Sequence, residues 1–138
     1  GEAFINGTVR TLKKDAQAIV VKRLKEICDG TAQAFGAKAD LEYEYGYPPT
    51  INHPKQTAFA LKVASEISGN ANIDGEAPPI MAAEDFAYML EERPGAYLNI
   101  GQGDSAALHN PEYDFNDELS PIGASFFVKL VENAQPLD

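Results

Sequence analysis

The chain has 138 residues, 44% hydrophobic and 23% charged, which suffices for an ordinary globular domain with a hydrophobic core. The formal net charge of −10, from 21 acidic and 11 basic side chains, argues against a nucleic acid or an anionic membrane as partner. One cysteine excludes an intrachain disulfide framework, and no signal peptide or bilayer-length apolar run is evident, so we expect a cytoplasmic protein.

The chain opens with a strand pattern followed by a long helix. Apolar and polar residues alternate over 3–11, and this period predicts a half-buried strand that carries Arg10. Apolar residues then recur every three or four positions, which predicts an amphipathic helix with Asp15 as its N-cap and Gly36 as its C′ residue.

A second strand and a stiff connector come next. Tyrosines alternate with acidic residues over 39–47, which predicts a strand with one aromatic face. Two strands are too few for a stable sheet, so we expect others from an upstream segment or a second copy of the chain. Three prolines within residues 46–54 disfavour helix and predict a boundary between two parts, 1–50 and 51–138.

The second part is predicted to contain helices and one strand, so the predicted fold class is α/β. Helical spacing of apolar residues predicts helices from Pro54 to Ser68, around Phe86, Met89 and Leu90, and from Ser120 as N-cap with Pro121 as the first helical residue. An apolar run over 96–100 predicts a buried strand. The last helix is expected to bury Ile122, Phe126, Phe127 and Leu130.

The loop after the 96–100 strand carries His109 in a Leu-His-Asn-Pro sequence. Ligands of α/β sheets bind outside the carboxyl ends of strands, which is where this loop begins. Considered alone, His109 still fits a hydrogen-bonded structural histidine better than a ligand, because histidine has many roles. Asp114 and Asp117 are expected to order the loop through Asx turns or to cap the last helix.

Several segments resemble one enzyme family. Residues 84–90 (EDFAYML), 94–101 (PGAYLNIG) and 108–117 (LHNPEYDFND) together resemble the carboxyl-terminal signature of M20 metallopeptidases. The most similar branch is that of the N-acyl-amino-acid amidohydrolases, of hippurate hydrolase and aminoacylase type. Residues 7–11 and 47–52 look like two landmarks of the lid domain of that family.

The resemblance implies that the chain is the last third of a metal-dependent amidohydrolase. Residues 1–50 would be half of an α+β lid (dimerisation) domain, and 51–138 the C-terminal part of a zinc-peptidase-like α/β catalytic domain. The complete enzyme would be a homodimer with two divalent ions (zinc, manganese or cobalt) that hydrolyses N-acyl amino acids or small peptides. The glutamate general base and most metal ligands would lie upstream, so the isolated chain would bind no metal and be inactive.

The resemblance also implies two site residues. His109 matches the final metal ligand of the family, and Arg10 matches an arginine that the lid directs toward the substrate carboxylate, which guanidinium binds in bidentate fashion. A solvated strand arginine is an equally good interpretation of Arg10. Glu84 and Asp85 fit acids of a first helical turn better than ligands, and no catalytic acid or base is assigned within this chain.

Two other function classes stay open. The chain could be a non-catalytic lid and oligomerisation module, which the metal content of the complete protein and of the 138-residue chain would distinguish from an enzyme. It could also be an unrelated α/β domain that binds a small molecule, and a His109 remote from any ligand would favour this alternative.

Overall fold

A computed structural model describes residues 1–135, and residues 136–138 lie outside the described part. It contains α1 (Lys14–Ala34), α2 (Pro54–Ser68), a 3₁₀ turn (Asn70–Asn72), α3 (Phe86–Glu92) and α4 (Leu119–Ala134). The predicted helices are therefore present, and none of the described helices is long and apolar enough to cross a membrane.

The described residues contain no β-strand. The segments predicted as strands, 3–11, 39–47 and 96–100, are also not helical. A strand is defined by ladder hydrogen bonds to a neighbour, and residues 1–135 supply no such neighbour for these segments. The α/β fold class stays a prediction.

The chain divides into two compact units. Unit 1 comprises Gly1–Ile51 and Pro78–Glu91, and unit 2 comprises Asn52–Ala77 and Glu92–Asp138. The first break falls inside the predicted connector, but Pro78–Glu91 groups with unit 1, which a single boundary near residue 50 did not anticipate. The assignment of the two parts to lid and catalytic domains stays a prediction.

Unit 1 is held together by contacts between its two pieces. The Nζ atom of Lys14 lies 3.0 Å from Oε1 of Glu91. The rings of Tyr47 and Tyr88 meet edge to face with their centroids 5.7 Å apart, a favourable geometry for an aromatic pair. Ala87 and Leu90 of α3 are buried. The ion pair and the ring contact join residues 78–91, which include all of α3 except Glu92, to residues 1–51.

The start of α1 differs from its prediction. Lys13 is the N-cap, with extended backbone and no side-chain cap hydrogen bond, so the prediction of Asp15 as N-cap is wrong. Asp15 lies in the first turn, where its Oδ1 accepts the N–H of Ala16 at 2.8 Å. A carboxylate in this position is still favoured, because the amino-terminal end of a helix carries partial positive charge.

The end of α1 agrees with its prediction. Gly36 has φ +65°, the left-handed conformation that glycine adopts at little cost. The N–H of Ala37 donates to the carbonyl of Ala32 at 2.9 Å, and the N–H of Gly36 donates to the carbonyl of Gln33 at 3.1 Å. This pair of bonds is a Schellman motif with Gly36 as the C′ residue.

In unit 2, α2 packs against α4. Ala60 and Val63 of α2 are buried, and the helix has the predicted limits, from Pro54 in the first turn to Ser68. Gly69 follows with φ +80° and ends the helix.

The start of α4 and its packing differ from prediction. Its N-cap is Glu118, not Ser120, because the carbonyls of Asn116 and Asp117 already accept the N–H groups of Leu119 and Ser120. None of the four residues expected in the core is fully buried. Phe126 and Leu130 are half-buried, whereas Ile122 and Phe127 are exposed, since the described residues do not cover their side of the helix.

Candidate functional site

His109 lies at the tip of the loop between residue 100 and α4. The N–H of Asn110 donates to the carbonyl of Ala107 at 3.0 Å, which closes a turn with His109 in its third position. His109 has φ +68°, and no other non-glycine residue among residues 1–135 has a positive φ. Positive φ is the requirement of a type II turn at that position. The side chain is exposed, so the turn presents the imidazole to solvent rather than to a core.

A second turn follows immediately and is ordered by Asn110. The N–H of Tyr113 donates to the Asn110 carbonyl at 2.9 Å, and the N–H of Glu112 donates to Oδ1 of Asn110 at 2.9 Å. The second bond forms an Asx turn, in which a side-chain oxygen substitutes for a backbone carbonyl. The two consecutive turns fix the backbone on the carboxyl side of His109.

The loop is ordered by asparagines, not by the aspartates that we expected. Oδ1 of Asn116 accepts the N–H of Glu118 at 3.1 Å just before α4. No side-chain hydrogen bond or ion pair of Asp114 or Asp117 occurs among the described residues. The expectation for these two residues is therefore wrong. Asparagines take this role instead, which is possible because a neutral amide oxygen accepts the same backbone N–H groups as a carboxylate does.

The base of the loop is closed by Gln102, which is half-buried. Its Nε2 donates to Oγ of Ser105 at 2.7 Å and to the carbonyl of Asp114 at 3.4 Å. Its Oε1 accepts from the Tyr113 hydroxyl at 3.2 Å and from the N–H of Asn116 at 3.5 Å. Its carbonyl accepts from Nδ2 of Asn116 at 3.4 Å. Gln102 thus joins the two arms of the loop, a role that we did not predict.

The segment that leads into the loop is tied to the start of α2. The side-chain amide of Asn52 donates to the Tyr97 carbonyl at 2.8 Å and accepts the Tyr97 N–H at 2.7 Å. The N–H of His53 donates to the Gly95 carbonyl at 3.0 Å, and Nδ1 of His53 accepts the Gly95 N–H at 3.2 Å. The two histidines therefore differ, since His53 is a hydrogen-bonded structural residue and His109 is exposed.

Arg10 and Glu84 lie in unit 1. Arg10 is exposed and takes part in none of the ion pairs among the described residues. Oε1 of Glu84 accepts the N–H of Phe86 at 3.4 Å, but Glu84 and Asp85 precede α3, whose first turn contains no acidic residue, so their placement in a first helical turn is wrong. Arg10 and His109 belong to different units, and their site roles stay predictions.

The capacity of the described residues to hold a metal ion is limited. Residues 1–135 contain no group of three or more histidine, cysteine, aspartate or glutamate side chains that could hold a metal ion. A catalytic zinc ion keeps three protein ligands. The described residues therefore do not fit a metal centre by themselves, although the exposed imidazole of His109 could contribute one ligand to a centre completed by other residues.

Comparison with protein-family models matches residues 2–133 to "Peptidase family M20/M25/M40". The chain is 33% identical to the hippurate hydrolase of Campylobacter jejuni over 93% of the chain and 33% of that protein. It is 33% identical to an N-acetyldiaminopimelate deacetylase of Streptococcus suis over 95% of the chain and 36% of that protein. It is 34% identical to the N-acetyldiaminopimelate deacetylase of Streptococcus sanguinis over 94% of the chain and 34% of that protein. The chain spans about a third of the length of these relatives. No solved structure matches it.

Proposed function

The chain belongs to peptidase family M20/M25/M40, and we propose that it is the carboxyl-terminal part of a metal-dependent amidohydrolase acting on N-acyl amino acids or small peptides. The observation that carries this proposal is the match of nearly the whole chain to relatives named hippurate hydrolase and N-acetyldiaminopimelate deacetylase. Hippurate and N-acetyldiaminopimelate both contain an amide bond between an acyl group and an amino acid. The products would be an acid and a free amino acid.

Within this proposal, His109 is one ligand of a divalent metal ion in the complete enzyme. Its exposure supports the role, and its ring makes no hydrogen bond among the described residues. The complete enzyme would hold two such ions, zinc, manganese or cobalt. The other ligands and the general base would come from outside this chain, because residues 1–135 supply no further ligand cluster. The 138-residue chain alone would be inactive.

Arg10 is proposed to bind the free carboxylate of the substrate. Its exposed guanidinium has no carboxylate partner among the ion pairs of the described residues, so it is available for a bidentate contact. We further propose that unit 1 associates with a second copy. Support comes from α1, which leaves Ile19 and Ile27 exposed on its surface.

The test is a chimaera in which this chain replaces the matching third of the Campylobacter jejuni hippurate hydrolase. With zinc, manganese or cobalt it should hydrolyse hippurate or N-acetyldiaminopimelate. Loss of a direct metal ligand exceeds the roughly 10–100-fold effect of outer-sphere changes, so His109→Ala should lower kcat/KM by more than about 100-fold. Arg10→Ala should raise KM by roughly tenfold or more, since a charge-assisted hydrogen bond contributes about 1.5–3 kcal/mol.

Two controls make these outcomes decisive. The unmodified hippurate hydrolase validates the assay, and the 138-residue chain alone should neither bind metal tightly nor hydrolyse substrate. In that chain His109→Ala should leave the thermal midpoint nearly unchanged, because the side chain is exposed. Unfolding on this substitution would show that His109 is structural. A folded chimaera that hydrolyses neither substrate would instead support a non-catalytic lid and oligomerisation module.

A further inference from the structure

The loop that carries His109 has no regular secondary structure, yet it is closed at its base. Residues 102–105 form one arm and residues 113–116 the other, and the Gln102 side chain bonds to both. The tip between the arms contains His109 in a left-handed conformation. The shape of the tip therefore depends on whether the arms stay together.

Each donor and acceptor position of the Gln102 side chain has a partner, at distances from 2.7 to 3.5 Å. Its Nε2 has two N–H groups, which donate to Ser105 and Asp114, and its Oε1 has two lone pairs, which accept from Tyr113 and Asn116. A primary amide supplies two donors and two acceptor positions at one point, which neither a carboxylate nor a thioether of similar length does. The contact is therefore specific to an amide.

The hydrogen bonds from the Gln102 side chain to Ser105, Tyr113, Asp114 and Asn116 form a clasp between the two arms. This clasp is also connected to a helix. Asn116 bonds to Gln102 through its N–H and its Nδ2, and its carbonyl accepts the N–H of Leu119, the first residue of α4. A loop tip on a closed and anchored base explores fewer positions than one on an open base, because closure removes conformational entropy.

We propose that Gln102 is a positioning residue for His109. It holds the two loop arms together, and the imidazole at the tip is thereby kept in one place relative to α4. The proposal rests on the proposed function, because only a ligand role gives the position of His109 a chemical purpose. Gln102 itself would touch neither metal nor substrate.

The direct experiment uses the 138-residue chain and the variant Gln102→Met, which keeps the length of the side chain but removes its hydrogen bonds. Hydrogen exchange should be about tenfold faster at the amides of Asn110 and Tyr113, since the net contribution of one or two hydrogen bonds is lost. Exchange at Val63 in the core should not change. Gln33→Met, on the exposed side of α1, is the matched control and should leave the loop unaffected.

The two histidines provide an internal comparison by NMR. In Gln102→Met the ring signals of His109 should sharpen and shift toward those of a free histidine, whereas the signals of His53 should keep their positions. Tyr113→Phe removes one of the clasp bonds and should accelerate exchange at Asn110 by only about threefold. If Gln102→Met does not fold, amide exchange at Asn110 in Tyr113→Phe is the deciding measurement.

In the chimaera, Gln102→Met should lower kcat and kcat/KM equally, by at least about tenfold, with KM unchanged. Loss of a correctly placed group lowers the competent fraction of enzyme without weakening substrate binding. Unchanged exchange at Asn110 in both variants would overturn the positioning role even if the chimaera is active. If exchange is faster in the variants but the unmodified chimaera is inactive, the role of Gln102 in holding the loop arms together stands and the proposed function is wrong.

Discussion

Two helices of unit 2, α2 and α4, differ in how their apolar residues are used. Two residues of α2, Ala60 and Val63, are buried, and none of the residues of α4 is; Phe127 and Val128 on its surface are 68% and 60% exposed. The spacing of apolar residues indicates that a helix has an apolar side. What covers that side is a property of the rest of the molecule, and the spacing contains no information about it.

The two helices also begin and end differently. The chain enters α2 through Asn52 and His53, which are hydrogen-bonded to residues 95–97, and it leaves through Gly69. It enters α4 through Asn116 and the clasp at Gln102. The start of α2 thus anchors the segment that leads to His109, and the start of α4 anchors the segment that follows His109. The difference between the helices can be tested with matched substitutions.

The largest expected effect is that of Val63→Ala on α2. Val63 has no exposed surface, so the substitution removes buried methyl groups and leaves a cavity. We expect the free energy of unfolding to fall by about 2 kcal/mol. The measurement is urea denaturation of the 138-residue chain followed by far-ultraviolet circular dichroism.

Val128→Ala on α4 is the matched control, because it makes the same chemical change at an exposed position. It should alter the free energy of unfolding by less than about 0.5 kcal/mol. Equal losses from the two substitutions would mean that the α4 surface is covered in solution, and the contrast drawn between the helices would be wrong.

The sequence predicted those features that depend on local chemistry. The limits of α2, the end of α1 at Gly36 and the helix at residues 86–92 follow from apolar spacing, proline at a helix start and glycine at positive φ. The start of α4 was misplaced by two residues, because backbone carbonyls of Asn116 and Asp117 initiate it ahead of Ser120. Burial of Phe127 was predicted wrongly because it requires a covering partner.

The site could be predicted only in part for the same reason. The Leu-His-Asn-Pro sequence directed attention to His109, but a glutamine between two glycines has no periodic or motif signal, so Gln102 was missed. Its importance arises from bonds to residues 3 to 14 positions away. The roles of Asp114 and Asp117 were assigned from residue type alone, and Asn110 and Asn116 perform them.

A second comparison concerns one glycine at the end of α2 and one inside α4. Gly69 has φ +80° and ψ 147°, a region that is essentially restricted to glycine, so Gly69→Ala should destabilise the chain by about 1–2 kcal/mol. Gly123 lies inside α4, and a Cβ atom built there meets nothing within 4 Å. Gly123→Ala should therefore stabilise the chain by roughly 0.5–1 kcal/mol.

Thermal midpoints of the two glycine variants and the unmodified chain provide the measurement. Opposite shifts, down for Gly69→Ala and up for Gly123→Ala, are the expected result. A stabilising Gly69→Ala would show that α2 does not end in the conformation described, and a destabilising Gly123→Ala would show that something packs closely on α4 at this point.

A smaller loss of stability than that of Val63→Ala is expected at the entrance to α2. Asn52→Ala removes the two hydrogen bonds between its side chain and the backbone of Tyr97. Because Tyr97 is exposed, water can replace the lost partner, and the expected loss is about 1 kcal/mol rather than the larger cost of an unsatisfied buried group. Asn70→Ala is the matched control, since Asn70 is exposed and its side chain makes no hydrogen bond among the described residues. Amide exchange at Tyr97 should accelerate in Asn52→Ala and stay unchanged in Asn70→Ala. Unchanged exchange in both variants would show that Asn52 does not hold residues 95–97 in place, and that the two hydrogen bonds between His53 and Gly95 suffice to anchor the segment.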